Sequence, residues 1–317
     1  MVKFTKGPNS SLILNSASRI TRILLSLKFA LVFSFLLNFA SPHANASQPQ
    51  PQNKQKVIIL VAGFFNSFAP EYFSDDIIKT LSKTGYIVFV AEKLNPVGTI
   101  EDNGQRVFRL FNQVHAQYPN AEITALGHSA GGLYSLYAIN KGAHFIKNLI
   151  TVSTPFDGVE FIQKLRQDSE IIKTLTDFCF LDGLRQLTKP FVKNFLSSIK
   201  VPAHLKIYAY GGYQPVNLDI FDAANMSAVL SVTDSYITGK SDGIVGYSSA
   251  IAITQIPTLQ KSFIKINTIQ TTFIDLEHWE QVLDYKNFIL LGTPNIELIK
   301  NRQIKFYSQV SNLMMRL

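Results

Sequence analysis

From Lys56 onward, short uninterrupted apolar runs alternate with segments of helical periodicity, and this alternation constrains the fold more than any other feature of the chain. Val57-Ile-Ile-Leu-Val61 stops at Ala62-Gly63, the pattern of a strand buried on both faces. Ile77, Ile78 and Leu81 line one side of a helix that Gly85 ends, and Tyr86 to Ala91 restores the strand signal. Val107, Leu110, Phe111 and Val114 fall at helical spacing, Ala121 to Leu126 reads as a strand, Gly131 to Lys141 as a helix, and Phe145 to Val152 as a strand. This order predicts an α/β fold with a mostly parallel central sheet flanked by helices. Its ligand crevice belongs at the carboxyl ends of the strands.

Composition removes several classes of function. A hydrophobic fraction of 46% with 16% charged residues supports a real core. The single cysteine, Cys179, excludes an internal disulfide, a multi-cysteine zinc site and an iron-sulfur cluster. A net charge of +8 suggests nucleic acid until its location is read. Five of the 30 cations and none of the 22 anions lie in residues 1–46, so the remainder holds 25 cations against 22 anions. No basic groove for nucleic acid is expected.

Those first 46 residues have their own logic. Lys3, Lys6, Arg19, Arg22 and Lys28 precede the 11-residue apolar run Phe29 to Phe39, and Ala44-Asn45-Ala46 follows. The run is too short to span a bilayer, and the small residues at 44 and 46 suit a signal peptidase. The segment reads as a secretory signal peptide cleaved after Ala46, giving a secreted or periplasmic chain. An uncleaved anchor or an organellar transit segment is the competing reading. Residues 47–55, rich in Gln and Pro, read as a disordered leader, and 56–317 as the folded domain.

The chemistry sits at a strand end. Gly127-His128-Ser129-Ala130-Gly131-Gly132 follows Leu126 and matches G-x-S-x-G between a buried strand and a helix. The small residues allow the sharp turn that lifts the Ser129 hydroxyl out of the sheet; a tight structural turn is the alternative. A serine hydroxyl is barely nucleophilic at neutral pH and needs a base, which needs an orienting acid. Of the histidines after Ser129, His144 lies at the far end of the following helix and His204 precedes a strand, at the wrong edge of the sheet. His278, in Leu276-Glu-His-Trp-Glu280, is the candidate base. Asp242, in the turn Ser241-Asp-Gly-Ile-Val245, is the candidate acid, with Asp219, Asp222 and Asp234 as competitors.

Three segments carry a resemblance to α/β-hydrolases of the bacterial true-lipase type, over roughly residues 56 to 290. Gly127 to Gly132 resembles the nucleophile elbow, Thr151-Val-Ser-Thr-Pro155 with Gly158 resembles the strand end after it, and Ser241 to Ser249 resembles the acid loop. By this resemblance Asp242 is the triad acid and Glu277 to Val282 the histidine loop. Ala62-Gly63-Phe64 occupies the place of the family's His-Gly oxyanion segment, which implies an oxyanion hole from the backbone N–H groups of Phe64 and Ala130. Ala62 and Phe156 stand where the family usually has histidines. Some relatives hold calcium near the histidine loop. Glu280 and Asp284 are oxygen donors there, but two carboxylates fall short of such a site, and no metal or cofactor is expected.

Residues 159–202 form an insertion the core does not need. Phe161, Leu165, Ile172 and Leu175 make one apolar stripe, and Val192, Phe195, Leu196 and Ile199 a second. They predict a helical lid that offers an acyl pocket and opens transiently at a lipid surface, or a cap packed permanently on the core. Cys179 reads as a small packed residue within it. The expected activity is hydrolysis of a lipid or small carboxylic ester through an acyl-enzyme. The alternatives are another acyl transfer on the same triad (thioesterase, amidase, acyltransferase or lipid-anchor deacylase) and a non-catalytic binding protein on the same scaffold.

Overall fold

A computed structural model describes residues 54–66, 72–91, 93–168, 182–213, 233–262, 273–284 and 296–316. The expected signal peptide and most of the leader, together with Ile172, Leu175, Cys179, Asp219 and Asp222, lie outside the described residues.

Strands and helices alternate as β1 (Lys56–Val61), α1 (Asp75–Ser82), β2 (Tyr86–Val90), α2 (Ile100–Gln117), β3 (Glu122–His128), α3 (Ala130–Asn140) and β4 (Ile146–Val152). After the insertion come β5 (Lys206–Gly212) and the two-residue β6 (Phe273–Ile274). All pairings are parallel, in the order β2-β1-β3-β4-β5-β6. Val57 to Val61 have no solvent exposure, as expected of a strand covered on both faces.

Register brings the strand exits level. Gly127 on β3 lies opposite Val61 on β1 and Thr151 on β4, and His128 lies opposite Val152. Whatever follows these residues therefore shares one rim of the sheet.

Helix starts are specified locally. The Ser74 side chain accepts the Ile77 N–H at 3.3 Å before α1, and Thr99 accepts that of Asp102 at 3.0 Å before α2. Helix α3 is different, with Leu133, Tyr134, Leu136, Ala138 and Ile139 all buried, so it is apolar on nearly every side and packs into the body of the molecule. The C-terminal helix (Ile296–Met315) packs on α1, and Gln303 accepts a hydrogen bond from Ser74 Oγ at 2.7 Å.

Within the insertion, α4 (Glu160–Asp168), α5 (Asp182–Arg185) and α6 (Lys189–Ser198) are described. The second apolar stripe is buried along its length, through Val192, Phe195, Leu196 and Ile199. Thr258 Oγ1 donates to the Leu196 carbonyl at 3.0 Å, and the Lys200 N–H donates to Asn140 Oδ1 at 2.8 Å. Gln186 reaches the start of α2, accepting the Ile100 N–H at 2.6 Å and donating to Glu101 Oε2 at 2.7 Å. Helix α6 is thus held against the fold by both apolar contact and hydrogen bonds.

Candidate active site

Ser129 stands at the turn from β3 into α3 with φ 54° and ψ −132°. Such torsions cost a non-glycine residue of order 1–3 kcal/mol and persist only where the surroundings impose them. Here the Ser129 N–H donates to the Val152 carbonyl at 2.8 Å, and the Ser129 carbonyl accepts Thr154 Oγ1 at 2.9 Å. The flanking glycines are required by space: a Cβ on Gly131 would lie 2.2 Å from the Val61 carbonyl oxygen, and one on Gly127 would lie 2.5 Å from the Gly132 nitrogen. Helix α3 can leave β3 this tightly only because both side chains are missing.

Asp242 and His278 meet directly. His278 Nδ1 lies 2.9 Å from Asp242 Oδ2, and the His278 backbone N–H donates to the Asp242 carbonyl at 2.9 Å. Both residues are buried, at 0% and 2% exposure, so their attraction is little screened by water. Oδ1 of Asp242 accepts the Ile244 and Val245 N–H groups at 3.1 and 2.8 Å, closing the turn on its own carboxylate. Burial alone pushes this carboxyl up. The His278 charge and hydrogen bond, with the Ser153 hydroxyl and the Val245 N–H, outweigh burial and hold it below the usual carboxylate range. An ionised Asp242 favours a proton on His278 Nδ1, the nitrogen that faces it, and so leaves Nε2 as the nitrogen that can exchange one.

Ser129 reaches the same rim through its neighbour. The rings of His128 and His278 are 4.6 Å apart, and a Cβ on Gly63 would come within 3.1 Å of Ser129 Oγ. Among the described residues no hydrogen bond joins Ser129 Oγ to His278. Ala130 opens α3, so its N–H has no partner within that helix. Phe64 follows Gly63 at the exit of β1, and the next N–H, of Phe65, is taken by the Pro96 carbonyl at 2.8 Å.

Of the competing residues, Asp234, His144 and His204 are described and make other bonds. Asp234 accepts the Ser241 hydroxyl, while His204 Nε2 is bonded to the His144 carbonyl at 2.7 Å near the start of β5. Glu280 and Asp284 are buried beside the histidine loop. Glu280 Oε2 accepts the Glu277 N–H at 3.1 Å, and burial pushes the Glu280 carboxyl up to about 7. Among the described residues, no group of three potential metal ligands occurs.

Three residues absent from the sequence-based selection complete the surroundings. Gln281 Nε2 donates to Asp242 Oδ2 at 2.9 Å. The Tyr72 hydroxyl lies 2.7 Å from His128 Nδ1. Ser153, with φ 49°, accepts the Gly212 N–H on its hydroxyl at 3.1 Å beside Asp242. Ser153 carried a signal in its place in Val-Ser-Thr-Pro at the end of β4, and Gln281 in its place within the histidine-loop segment Glu277 to Val282; Tyr72 carried none.

Comparison with known proteins agrees with this architecture. The family described as alpha/beta hydrolase fold matches residues 56–262. No curated protein matches the sequence. A metagenomic carboxyl esterase superposes with a TM-score of 0.63 at 16% identity, over 88% of this chain and 82% of that one. Lipase 1 from Pelosinus fermentans gives 0.55 at 14% identity, over 83% and 99%. A Bacillus licheniformis lipase in its mature form gives 0.52 at 21% identity, over 77% and 95%. At these identities the likeness concerns the fold, and with the family match over most of the chain it has one conclusion: this protein belongs to the alpha/beta hydrolase fold family.

Proposed function

We propose that the chain is a serine hydrolase cleaving carboxylic esters, with lipid or acyl esters as its substrate class. The observation that carries this reading is the buried 2.9 Å contact between His278 Nδ1 and Asp242 Oδ2, at the rim where Ser129 is held in its strained turn. A desolvated imidazole–carboxylate pair beside a strained serine at the end of a strand is the arrangement that acyl transfer needs, and a binding protein on this scaffold does not require it. The solved esterase and lipases of similar fold are consistent with it.

In this mechanism Ser129 attacks the ester carbonyl while His278 Nε2 takes its proton. Asp242 fixes the ring tautomer and stabilises the imidazolium. The protonated ring then donates to the departing alkoxide, and a water, deprotonated in turn by His278, releases the acyl group from Ser129. The N–H groups of Phe64 and Ala130 meet the oxyanion, each contributing about 3 kcal/mol of transition-state stabilisation. Export rests on the sequence of residues 1–46, with the mature chain beginning after Ala46.

The test is hydrolysis of p-nitrophenyl esters of graded chain length by the mature chain, beside amide and thioester substrates, with Ser129→Ala as control. A fluorophosphonate should label the wild type and spare Ser129→Ala. Retained activity in Ser129→Ala ends this reading, and activity confined to very short acyl chains ends its lipid part.

A further inference from the structure

Two buried polar atoms beside the proposed site lack a hydrogen-bond partner, and their chemistry is complementary. One is Nε2 of His128, the other Oε1 of Gln281. Buried polar groups in native proteins are almost always satisfied, so two such atoms in one site require an account.

Neighbouring bonds define what each atom is. Gln281 Nε2 donates to Asp242 Oδ2 at 2.9 Å and to the Leu276 carbonyl at 3.3 Å, which leaves Oε1 purely an acceptor. Reversing the amide would set its oxygen against an ionised carboxylate. On the other side, the Tyr72 hydroxyl sits 2.7 Å from His128 Nδ1. Burial keeps both groups neutral, holding Tyr72 as a phenol and pushing His128 well below its ordinary value, with the nearby His278 adding to the effect. The Gln281 side chain and the His278 backbone face the same ring and favour a proton on it, which leaves Nδ1 to accept from the phenol. A neutral imidazole that accepts at Nδ1 carries its one proton on Nε2 and donates there.

We infer that a single buried water joins His128 Nε2–H to Gln281 Oε1, completing a chain Tyr72–His128–Gln281–Asp242 that aims the carboxylate at His278. The inference rests on the reading of Asp242 and His278 as acid and base. Tyr72, His128 and Gln281 act here as positioning residues: they hold the amide and the carboxylate, and the proton transfers run through His278. The chain also ties the exit of β1, where the oxyanion is received, to the group that orients the base. Coupled networks of this kind make the effects of single substitutions overlap instead of adding.

Two measurements on the full chain test the link. Nitrogen-15 NMR of the imidazoles reads the His128 tautomer. A neutral ring protonated at Nε2 at neutral pH is expected, and protonation at Nδ1 overturns the inference. The second is a double-mutant cycle on ester hydrolysis. Gln281→Met should lower kcat about tenfold to a hundredfold with KM held within about twofold, the size expected for losing a hydrogen bond to a charged group. Tyr72→Phe should lower kcat about threefold to tenfold, and the double variant should fall no more than about twofold below Gln281→Met alone. Losses that multiply, or a change in KM with kcat intact, overturn the link. Gln281→Glu keeps the size of the side chain while replacing the donor; it should lose at least as much kcat as Gln281→Met, and stands in for it if that variant does not fold. Ser129→Ala keeps the two readings apart: if it still hydrolyses, the hydrolase reading fails while the tautomer still decides the link.

Discussion

Gln303 Nε2 donates to the backbone carbonyl of Glu280 at 3.0 Å, fastening the C-terminal helix to the loop that carries His278. The same nitrogen reaches the Leu283 carbonyl at 3.1 Å, and Oε1 accepts the Ser74 hydroxyl at 2.7 Å, all with Gln303 only 1% exposed. Gln303→Leu keeps the volume and strips every one of these partners. Each buried group left unmet costs about 1–3 kcal/mol, so a loss near 3 kcal/mol is expected in urea unfolding, seen as a lower midpoint at unchanged slope. An unmoved midpoint would show that the clamp contributes nothing.

Asp242→Asn should disable the site without disturbing its shape. The asparagine amide either confronts His278 Nδ1–H and Gln281 Nε2–H with a third donor or accepts only weakly from them, so the base is no longer held in its productive tautomer. In hydrolases with this arrangement the same exchange lowers kcat about 10⁴-fold. Stopped ester hydrolysis on a variant whose thermal midpoint is normal is the check; a loss under about tenfold is incompatible with the assigned role.

Acidity also shapes stability. Glu280 has an ordinary value of 4.5 and is pushed up to about 7, mainly by burial and against the Glu277 N–H and Arg302; the half-buried Glu277 carboxyl is raised as well. A folded state that keeps a proton the unfolded chain releases is favoured below the unfolded value and loses that advantage as pH rises through the folded one. Stability should therefore decline between about pH 5 and 7, and Glu280→Gln should flatten the decline. Asp242 works in the opposite sense, its held-down carboxyl adding stability above its ordinary value of 3.8 that disappears in stronger acid. Urea midpoints from about pH 2 to pH 8 separate the two, and parallel curves for wild type and Glu280→Gln between about pH 5 and pH 7 would remove Glu280 from the account.

Helix α6 gives a test of how the insertion is attached. Leu196 is 1% exposed, and its carbonyl receives the Thr258 hydroxyl. Leu196→Ala should cost about 3 kcal/mol in global unfolding, as truncation of a core leucine does. A helix that swings free of the body would tolerate the change with the midpoint intact.

What could be read from the sequence follows distance along the chain. β1 and β2 announce themselves as continuous apolar runs, β3 and β4 as β-rich segments alternating with helical ones, and the elbow because strand, small residues and helix are contiguous. His278 follows a β-rich run and Asp242 sits in a turn with an apolar run beyond it, but local pattern left other aspartates open and the resemblance of Ser241 to Ser249 to an acid loop singled out Asp242. Nothing local encodes Gln303 against Ser74, 229 positions apart, or Tyr72 against His128, 56 apart, since a polar side chain gives no periodicity to say which backbone will meet it. The stripe of α6 was equally ambiguous. An apolar face states that something covers it and leaves open whether the cover is temporary.

The strained torsions of Ser129 carry one last implication. The hydroxyl is armed by Gly127, Gly131 and the Val152 carbonyl, which come together only when β1, β3 and β4 have paired. On the proposed reading, a chain whose strands have not paired lacks that scaffold and its serine relaxes to an ordinary conformation, so the topology would act as a safety catch on the chemistry.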